Sequence, residues 1–408
     1  MHTGIGLSIE KDPVQAVKEA TATANINIRN QKIDLALVFS SIDFSYSTIF
    51  RTIGSALKEN VPILGCSGAA IIANQGVYKH GIVVMLLSLP EGVSLNTACI
   101  KEIKTKGPLN AGRELGEKLL YRFQDVHRVL SIILSDGLMD GSSNFIYGLQ
   151  ERLGKSIPLV GASACDNLSF SKTYTYYNKE VLSDSAVGML WGGKLNFGLG
   201  IKHGWKPLGK QRTITKCEGN IAYEIDNAPA VKIYEEYLAS DLSELQKELK
   251  RISTLYPLGM YLPGEEEYLL RNTLSIEKSG SLRLQGNVTE GSIVRLMIGT
   301  KESCLEATQQ AVEEAKKGLF NPTLDFSKEP KKNFVLVFDS VSRYILLGRE
   351  ASKELKIIKE GFGENTPIIG LYTYGEQAPL RAVSYQGQAY FHNQTIAILA
   401  IGGLQKNV

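Results

Sequence analysis

The stretch Thr366–Gly370, T-P-I-I-G, carries the pattern that organises this chain. Proline followed by aliphatic residues and glycine returns in V-P-I-L-G at Val61–Gly65 and in I-P-L-V-G at Ile157–Gly161, with a degenerate copy, Y-P-L-G, at Tyr256–Gly259. The four prolines are 96, 99 and 110 residues apart. Such regular spacing indicates internal duplication, because chance matches to so short a pattern would fall irregularly along the chain.

Apolar runs precede three of these prolines, at Leu35–Phe39, Val129–Leu134 and Phe334–Phe338. Runs of this kind predict strands covered on both faces. A helical pattern such as Ile345–Lys359 follows each run and ends before the proline, because proline disfavours helix in the residue before it. A further apolar run, such as Thr395–Gly402, comes after the proline. The predicted unit is therefore strand, helix, proline-led strand, loop and strand.

The repeats predict an α/β fold with mixed sheets and helices, in two domains that each contain two strand-helix-strand-strand units. In the degenerate copy, Ala230–Arg251 supplies the helix. The two C-terminal copies share a further pattern, G-x-Y-x-x-G-E, at Gly259–Glu265 and Gly370–Glu376. We expect the boundary near Cys217–Asn220, where K-C-E-G-N interrupts the pattern, which gives domains of residues 1–218 and 219–408.

Composition excludes several classes of protein. Of the 408 residues 43% are apolar and 21% charged, as in ordinary globular proteins, and the net charge of +3 is scattered along the chain, which does not favour nucleic-acid binding. The apolar runs are shorter than the roughly 20 residues that span a bilayer, and the N-terminus lacks a signal-peptide pattern. We therefore expect a cytoplasmic protein without membrane insertion.

The five cysteines are widely spaced, and neither C-x-x-C nor H-x-x-x-H occurs. This pattern predicts no disulfide framework, no metal site and no cofactor.

Five motifs at predicted strand ends resemble those of FIST-domain proteins, with the N-terminal and C-terminal modules in order over nearly the whole chain. The motifs are I-L-G-C-S-G-A (Ile63–Ala69), S-D-G (Ser135–Gly137), V-G-A-S-A-C-D (Val160–Asp166), Y-T-Y-G-E (Tyr372–Glu376) and H-N-Q-T (His392–Thr395). The resemblance implies a sensory module of signal transduction that binds a small ligand such as an amino acid. Because the two modules occupy the chain, it also implies that the signal passes through a separate partner protein.

In the first motif, Cys66 or Ser67 is a candidate nucleophile, and the backbone N–H groups through Gly68 are candidates to hold an anionic ligand. The alternative is a tight turn of small residues packed under a helix. A nucleophile elbow requires G-x-S-x-G, but Ala69 stands in the fifth position, and no histidine has an evident orienting carboxylate. We predict ligand binding rather than catalysis and keep a hydrolase as the alternative.

Acidic and hydroxyl residues follow two of the predicted strands, where ligands of α/β sheets commonly bind. Asp136, and Asp166 with Ser163 in its motif, are candidates to bind a ligand ammonium group. An Asx-turn or helix cap explains Asp136 equally well, and for Asp166 the cap is slightly favoured.

Tyr372, Tyr374 and Glu376 are predicted to share one face of an extended strand, where they would bind an amine. The alternative is that these residues pack a domain interface. Because Tyr261 and Glu265 repeat two of them, a structural role is favoured for Tyr372 and Glu376, and Tyr374 is the most individual candidate.

Arg343, in the predicted loop after Phe338, is a candidate partner for a ligand carboxylate, although an exposed loop arginine is the commoner explanation. Asn393, at the start of a strand beside a histidine expected to be structural, completes the candidate residues. The sequence thus predicts a small-molecule sensor. A protein–protein assembly module, recognisable by a flat apolar surface in place of an enclosed cleft, is the third alternative.

Overall fold

A computed structural model of the protein describes residues 1–44, 47–57, 60–123, 125–319, 331–380 and 387–403. Within these residues the same order of elements occurs three times. Unit 1 comprises β1 (His2–Ser8), α1 (Pro13–Asn27), β2 (Leu35–Ser41), α2 (Ser47–Ala56), β3 (Ile63–Gly68), β4 (Ile71–Ala73), β5 (Gly76–Tyr78) and β6 (Ile82–Ser88). Unit 2 comprises β7 (Val93–Lys101), α3 (Ile103–Lys106), α4 (Pro108–Leu120), β8 (Arg128–Ser135), α5 (Ser142–Leu153), β9 (Leu159–Ser163), β10 (Thr175–Tyr177), β11 (Glu180–Leu182) and β12 (Ser185–Gly193).

Unit 3 begins with β13 (Asn196–Lys202) and is then interrupted by residues 203–300, here called the inserted region. The inserted region comprises β14 (Lys206–Glu218), β15 (Ile221–Ile225), β16 (Ala228–Pro229), α6 (Lys232–Leu238), α7 (Leu242–Lys247), α8 (Leu249–Leu255), β17 (Leu258–Met260), β18 (Leu269–Arg271), β19 (Thr273–Ile276), β20 (Leu282–Leu284) and β21 (Ile293–Ile298). Unit 3 resumes with α9 (Lys301–Leu319), β22 (Lys331–Ser340), α10 (Val341–Leu347), α11 (Ala351–Phe362), β23 (Ile368–Thr373), β24 (Gly375–Pro379), β25 (Ala389–His392) and β26 (Ile396–Gly403).

Each unit builds a sheet with the same strand order, and each sheet is completed by a strand pair from another unit. The orders are β1-β6-β2-β3, β7-β12-β8-β9 and β13-β26-β22-β23, in which the last two strands of each are parallel. The pair β10–β11 extends the sheet of unit 1, β24–β25 that of unit 2, and β4–β5 that of unit 3. The exchange is cyclic, so the described part of the body has approximate threefold symmetry. The predicted α/β class with mixed sheets is confirmed.

The three sheets enclose one apolar core, and helices cover their outer faces. Inward side chains of all three sheets form a single cluster, in which the rings of Phe39 and Phe338 meet edge to face with centroids 6.2 Å apart. Outside, α1 and α2 pack on unit 1, α4 and α5 on unit 2, and α9 and α11 on unit 3. Strands covered on both faces explain the fully apolar runs of the sequence.

The repeated glycine has a steric reason. A Cβ atom at Gly65, Gly161 or Gly370 would lie 1.7, 1.9 and 2.1 Å, respectively, from the carbonyl oxygen of the opposite residue in the parallel partner strand. Only glycine permits this approach. The proline-led strand therefore carries glycine at this position in all three units, and the glycine lies within the strand instead of ending it.

The sequence Y-P-L-G is not a fourth copy of the unit. Its strand β17 is three residues long and pairs antiparallel with β18 and β21, and within the described residues it has no parallel partner. The predicted helix Ala230–Arg251 is three short helices, α6 to α8, all in the inserted region. The domain division at residue 218 stays a prediction, and two of the three exchanged strand pairs, β4–β5 and β24–β25, join a strand on the other side of it. No helix in the described residues is long and apolar enough to cross a membrane.

Candidate functional site

The proline-led strands of the three units bring equivalent residues together where they end. Ala69, Cys165 and Tyr374 each stand four positions after the repeated glycine, and they pack in one small cluster with Val341 and two leucines. We call this the axial cluster. Three equivalent positions therefore meet at one place in the fold, and each unit supplies a different side chain there.

Backbone hydrogen bonds join the three units around the axial cluster. The N–H of Cys165 donates to the carbonyl oxygen of Ser67 at 2.8 Å, and that of Tyr374 donates to the carbonyl oxygen of Ser163 at 3.2 Å. The N–H of Ala69 donates to the carbonyl oxygen of Tyr372 at 2.9 Å and closes the ring. The ends of the proline-led strands in all three units are thus held in fixed positions.

Tyr374 is covered by a loop that Asp166 organises. Its hydroxyl donates to Oδ1 of Asp166 at 2.5 Å, and the ring of Phe170 stacks on its ring at a centroid distance of 4.5 Å and an angle of 14°. Asp166 also accepts hydrogen bonds from the backbone N–H groups of residues 169–172. Burial opposes ionisation of Asp166, but the hydrogen bonds from the Tyr374 hydroxyl and from the loop lower its pKa to about 2.

Residues 166–173, here called the strand-end loop, are held at both ends by carboxylates. At the far end Thr173 donates from Oγ1 to Oδ1 of Asp136 at 2.8 Å. Asp136 also accepts from the N–H groups of Leu138 and Asp184, so the Asx-turn interpretation describes its local role. Within the loop, Leu168 and Phe170 adopt left-handed φ angles of 70° and 50°. Bulky residues rarely take this conformation, so the loop carries backbone strain.

The G-C-S-G motif lies inside strand β3 and does not form the turn that the sequence suggested. Cys66 is fully buried in the central core, and burial raises the pKa of its thiol. Ser67 donates from Oγ to the carbonyl oxygen of Cys165 at 2.8 Å, and a Cβ atom at Gly68 would lie 2.9 Å from Leu371. These contacts give the motif a role in joining units 1, 2 and 3.

Arg343 is neither exposed nor in a loop, contrary to both expectations. It lies in α10, is fully buried, and forms ion pairs with Asp339 at 2.9 Å and with Glu354. It also donates to Thr308 and to the carbonyl oxygen of His203. Burial and the charge of Glu354 raise the pKa of Asp339. Because protein carboxylates already neutralise this guanidinium, it is not placed to bind the carboxylate of a ligand.

Tyr372, Tyr374 and Glu376 do not share a face, because the chain changes sheets between them. Strand β23 ends at Thr373 in the sheet of unit 3, and β24 begins at Gly375 in the sheet of unit 2. Tyr372 donates to Glu354 at 3.1 Å. Glu376 accepts hydrogen bonds from Thr373 and Thr395, and burial raises its pKa to about 8.

The inserted region borders the axial cluster through amide side chains. Asn393, the last sequence candidate, accepts from the N–H of Asn272 at 3.1 Å, and Gln285 donates to the carbonyl oxygen of Tyr374 at 2.7 Å. The structure therefore brings Ser67, Ser163, Asp136, Asp166 and Tyr374 to one end of the body. Phe170, Thr173 and Gln285 were missed, because only the folded chain places them there.

Comparisons with known proteins agree with the motifs. The FIST N domain model matches residues 34–228, and the FIST C domain model matches residues 230–379. The uncharacterized protein MJ1623 of Methanocaldococcus jannaschii is 25% identical over 355 residues, which are 80% of this chain and 66% of that protein. The chain thus spans just under two thirds of that relative's length.

Two solved structures resemble the fold at low similarity. A chorismatase has 6% identity and a TM-score of 0.37 over 98% of both chains. A cyanuric acid hydrolase has 7% identity and a TM-score of 0.38 over 99% of both chains. Likeness at this level supports no conclusion about activity.

Proposed function

This chain belongs to the FIST family, whose domains are associated with sensing in signal transduction, and from this premise we propose that it binds a small polar ligand at the strand-end loop. The ligand would be an amino acid or a similar amine-bearing metabolite. The signal would pass to a separate partner protein in the cytoplasm.

One observation carries the proposal: a strained loop, held at both ends by carboxylates, covers the axial cluster. Left-handed conformations at Leu168 and Phe170 cost free energy, and strained backbone of this kind concentrates at binding sites and switches. Phe170 keeps 54% of its surface exposed although it stacks on a nearly buried tyrosine. A loop of this kind is suited to open for a ligand and to close over it.

The chemistry of the loop suits an ammonium group. Asp166 is ionised at neutral pH, since its pKa is about 2. In the proposed complex a ligand ammonium group replaces the hydroxyl of Tyr374 at Oδ1 of Asp166, while the loop amides keep their hydrogen bonds. The rings of Phe170 and Tyr374 then contact the apolar part of the ligand, and the face of a ring lies against its ammonium group.

Thermal unfolding of the full chain with each of the standard amino acids tests the proposal. A ligand that binds the folded state raises the unfolding temperature, and at about 100 times its Kd the gain is about 2.7 kcal/mol. We expect at least one amino acid to stabilise the wild type, and Tyr374→Phe and Asp166→Asn to alter its affinity. A matched control is Tyr121→Phe, which changes an exposed tyrosine. No stabilisation by any amino acid, or equal affinity in all variants, would contradict the proposal.

The alternative function, a hydrolase using Cys66 or Ser67, is less favoured by the geometry. The thiol is buried, and the serine hydroxyl donates to a backbone carbonyl oxygen instead of a general base. Covalent labelling of either residue by a thiol- or serine-directed probe would revive this alternative.

A further inference from the structure

We propose that Arg271 forms a second binding site, which takes the carboxylate group of a small ligand. The site lies where the inserted region meets β25 of unit 3, and it does not require the strand-end loop to open. It was not among the residues that the sequence suggested.

Arg271 is a buried cation without a counter-ion among the described residues. The residue is 3% exposed, and its guanidinium donates only to backbone carbonyl oxygens. Nε donates to Asn287 at 3.0 Å, and Nη1 donates to Leu270 at 3.0 Å and to Phe391 at 2.9 Å. Nη2 has no acceptor in the part of the chain that the structure describes. Two N–H groups therefore remain for a ligand.

The contrast with Arg343 shows how unusual this arrangement is. Both side chains are almost wholly buried, but Arg343 forms ion pairs with Asp339 and Glu354. Burial alone acts on the ionisation of Arg271 and lowers its pKa to about 10. Burying a charge without a partner is costly, and proteins normally supply a partner or a ligand.

Two polar, uncharged residues are close to Arg271, one along the chain and one in the fold. Asn272, the next residue, leaves its Oδ1 buried without a hydrogen bond among the described residues, while its Nδ2 donates to Gln285. His392 is neutral at physiological pH, because burial lowers its pKa to about 3. Among the described residues, no carboxylate forms an ion pair with the guanidinium of Arg271.

The guanidinium is held rigidly against a glycine. Gly286 has a φ of 113°, and a Cβ atom there would lie 3.0 Å from Cζ of Arg271. A fixed guanidinium is pre-organised for an anion, because little side-chain freedom is lost on binding.

Two features define the ligand. The unpaired donors and the positive charge favour a carboxylate, which forms strong charge-assisted hydrogen bonds with arginine. The small exposed fraction of Arg271 favours a ligand of few atoms. Glycine and acetate are the appropriate probes, because each carries a carboxylate and has few atoms.

The test compares glycine, acetate and methylamine as sodium or chloride salts at equal ionic strength, with sodium chloride as the reference. We expect glycine and acetate, but not methylamine, to raise the unfolding temperature of the full wild-type chain. Stabilisation by methylamine alone, or by none of the three, would overturn the inference.

Variants locate the effect. Because charge-assisted hydrogen bonds contribute about 1.5–3 kcal/mol, Arg271→Gln should weaken acetate binding by about tenfold or more. Arg295→Gln is the control, since that half-buried arginine also donates to a backbone carbonyl oxygen, that of Gly209. Arg271→Lys keeps the charge and serves if the glutamine variant does not fold, and it should also weaken acetate binding. Unchanged acetate affinity in the Arg271 variants would overturn the inference. Tyr374→Phe, which changes the strand-end site, should bind acetate as tightly as the wild type.

Discussion

Asp339, Arg343 and Glu354 form a wholly buried ionic network at the end of β22, and it illustrates what residue patterns alone do not reveal. The sequence placed Arg343 in an expected loop, as a candidate partner for a ligand carboxylate. Its two carboxylate partners are four and eleven residues away, and the second is on another helix. Such a network depends on packing, so local pattern predicted the residue but neither its burial nor its partners.

Arg343→Met tests the role of this network in stability. The substitution leaves Asp339 and Glu354 buried without their cation, and removing one partner of a buried ion pair costs about 3–5 kcal/mol. Urea denaturation should show a loss of that size in the free energy of unfolding. Arg122→Gln, which changes an exposed arginine, should change it by no more than about 0.5 kcal/mol. Similar small losses in both variants would show that the network contributes little.

Glu376 makes stability depend on pH. Burial raises its pKa to about 8 from the ordinary value of 4.5, so the folded state holds a proton that the unfolded state releases between these values. The stability that Glu376 contributes is therefore present below pH 4.5 and is lost as the pH rises to 8. Glu376→Gln cannot titrate. Over this range the free energy of unfolding should fall less steeply with pH for this variant than for the wild type. The two slopes should differ by up to about 1.4 kcal/mol per pH unit.

Urea denaturation at several pH values between 5 and 8 measures the two slopes. Glu290→Gln, which changes an exposed carboxylate, is the control and should keep the wild-type slope. Parallel slopes for the wild type and Glu376→Gln would mean that the buried carboxyl does not hold its proton.

At the scale of elements, the sequence predicted most strands closely, since apolar runs mark strands covered on both faces. The predicted strand Phe334–Phe338 lies within β22, and Thr395–Gly402 nearly coincides with β26. The change of sheet at Tyr374 was not predictable, because an extended chain looks the same whether or not its two halves pair with one sheet. The error about the face shared by Tyr372 and Glu376 follows from this.

The repeated glycine within the proline-led strand gives a test at this scale. Gly161→Ala would place Cβ 1.9 Å from the carbonyl oxygen of Ile133, so the strands must separate, at a cost of about 1–3 kcal/mol or more. Gly54→Ala is the matched control. It lies in α2, where the added Cβ meets only the flexible end of Lys179, and it should be neutral or stabilising.

Thermal unfolding of both variants measures the difference. Equal unfolding temperatures would show that the close approach of the parallel strands is not essential to the fold.

At the scale of the whole molecule, the sequence revealed that a unit is duplicated. It did not reveal the number of units or the exchange of strand pairs that joins them. Local motifs predicted four copies, whereas the strand pairing defines three units and an inserted region. The exchanged strand pairs β4–β5, β10–β11 and β24–β25 are short, and their sequences carry no pattern that indicates which sheet each pair joins. The candidate site depends on this closure, because residues from all three units meet only after the exchange.

Amide hydrogen exchange in the strand-end loop tests the central claim most directly. It would be measured on the full chain alone and with a saturating amount of whichever standard amino acid stabilises it most. If the ligand binds between Asp166, Phe170 and Tyr374, exchange at the loop amides of residues 169–172 should slow, because the closed loop keeps its hydrogen bonds to Asp166. Unchanged exchange in this loop, with slower exchange elsewhere, would contradict the account and place the ligand at another site.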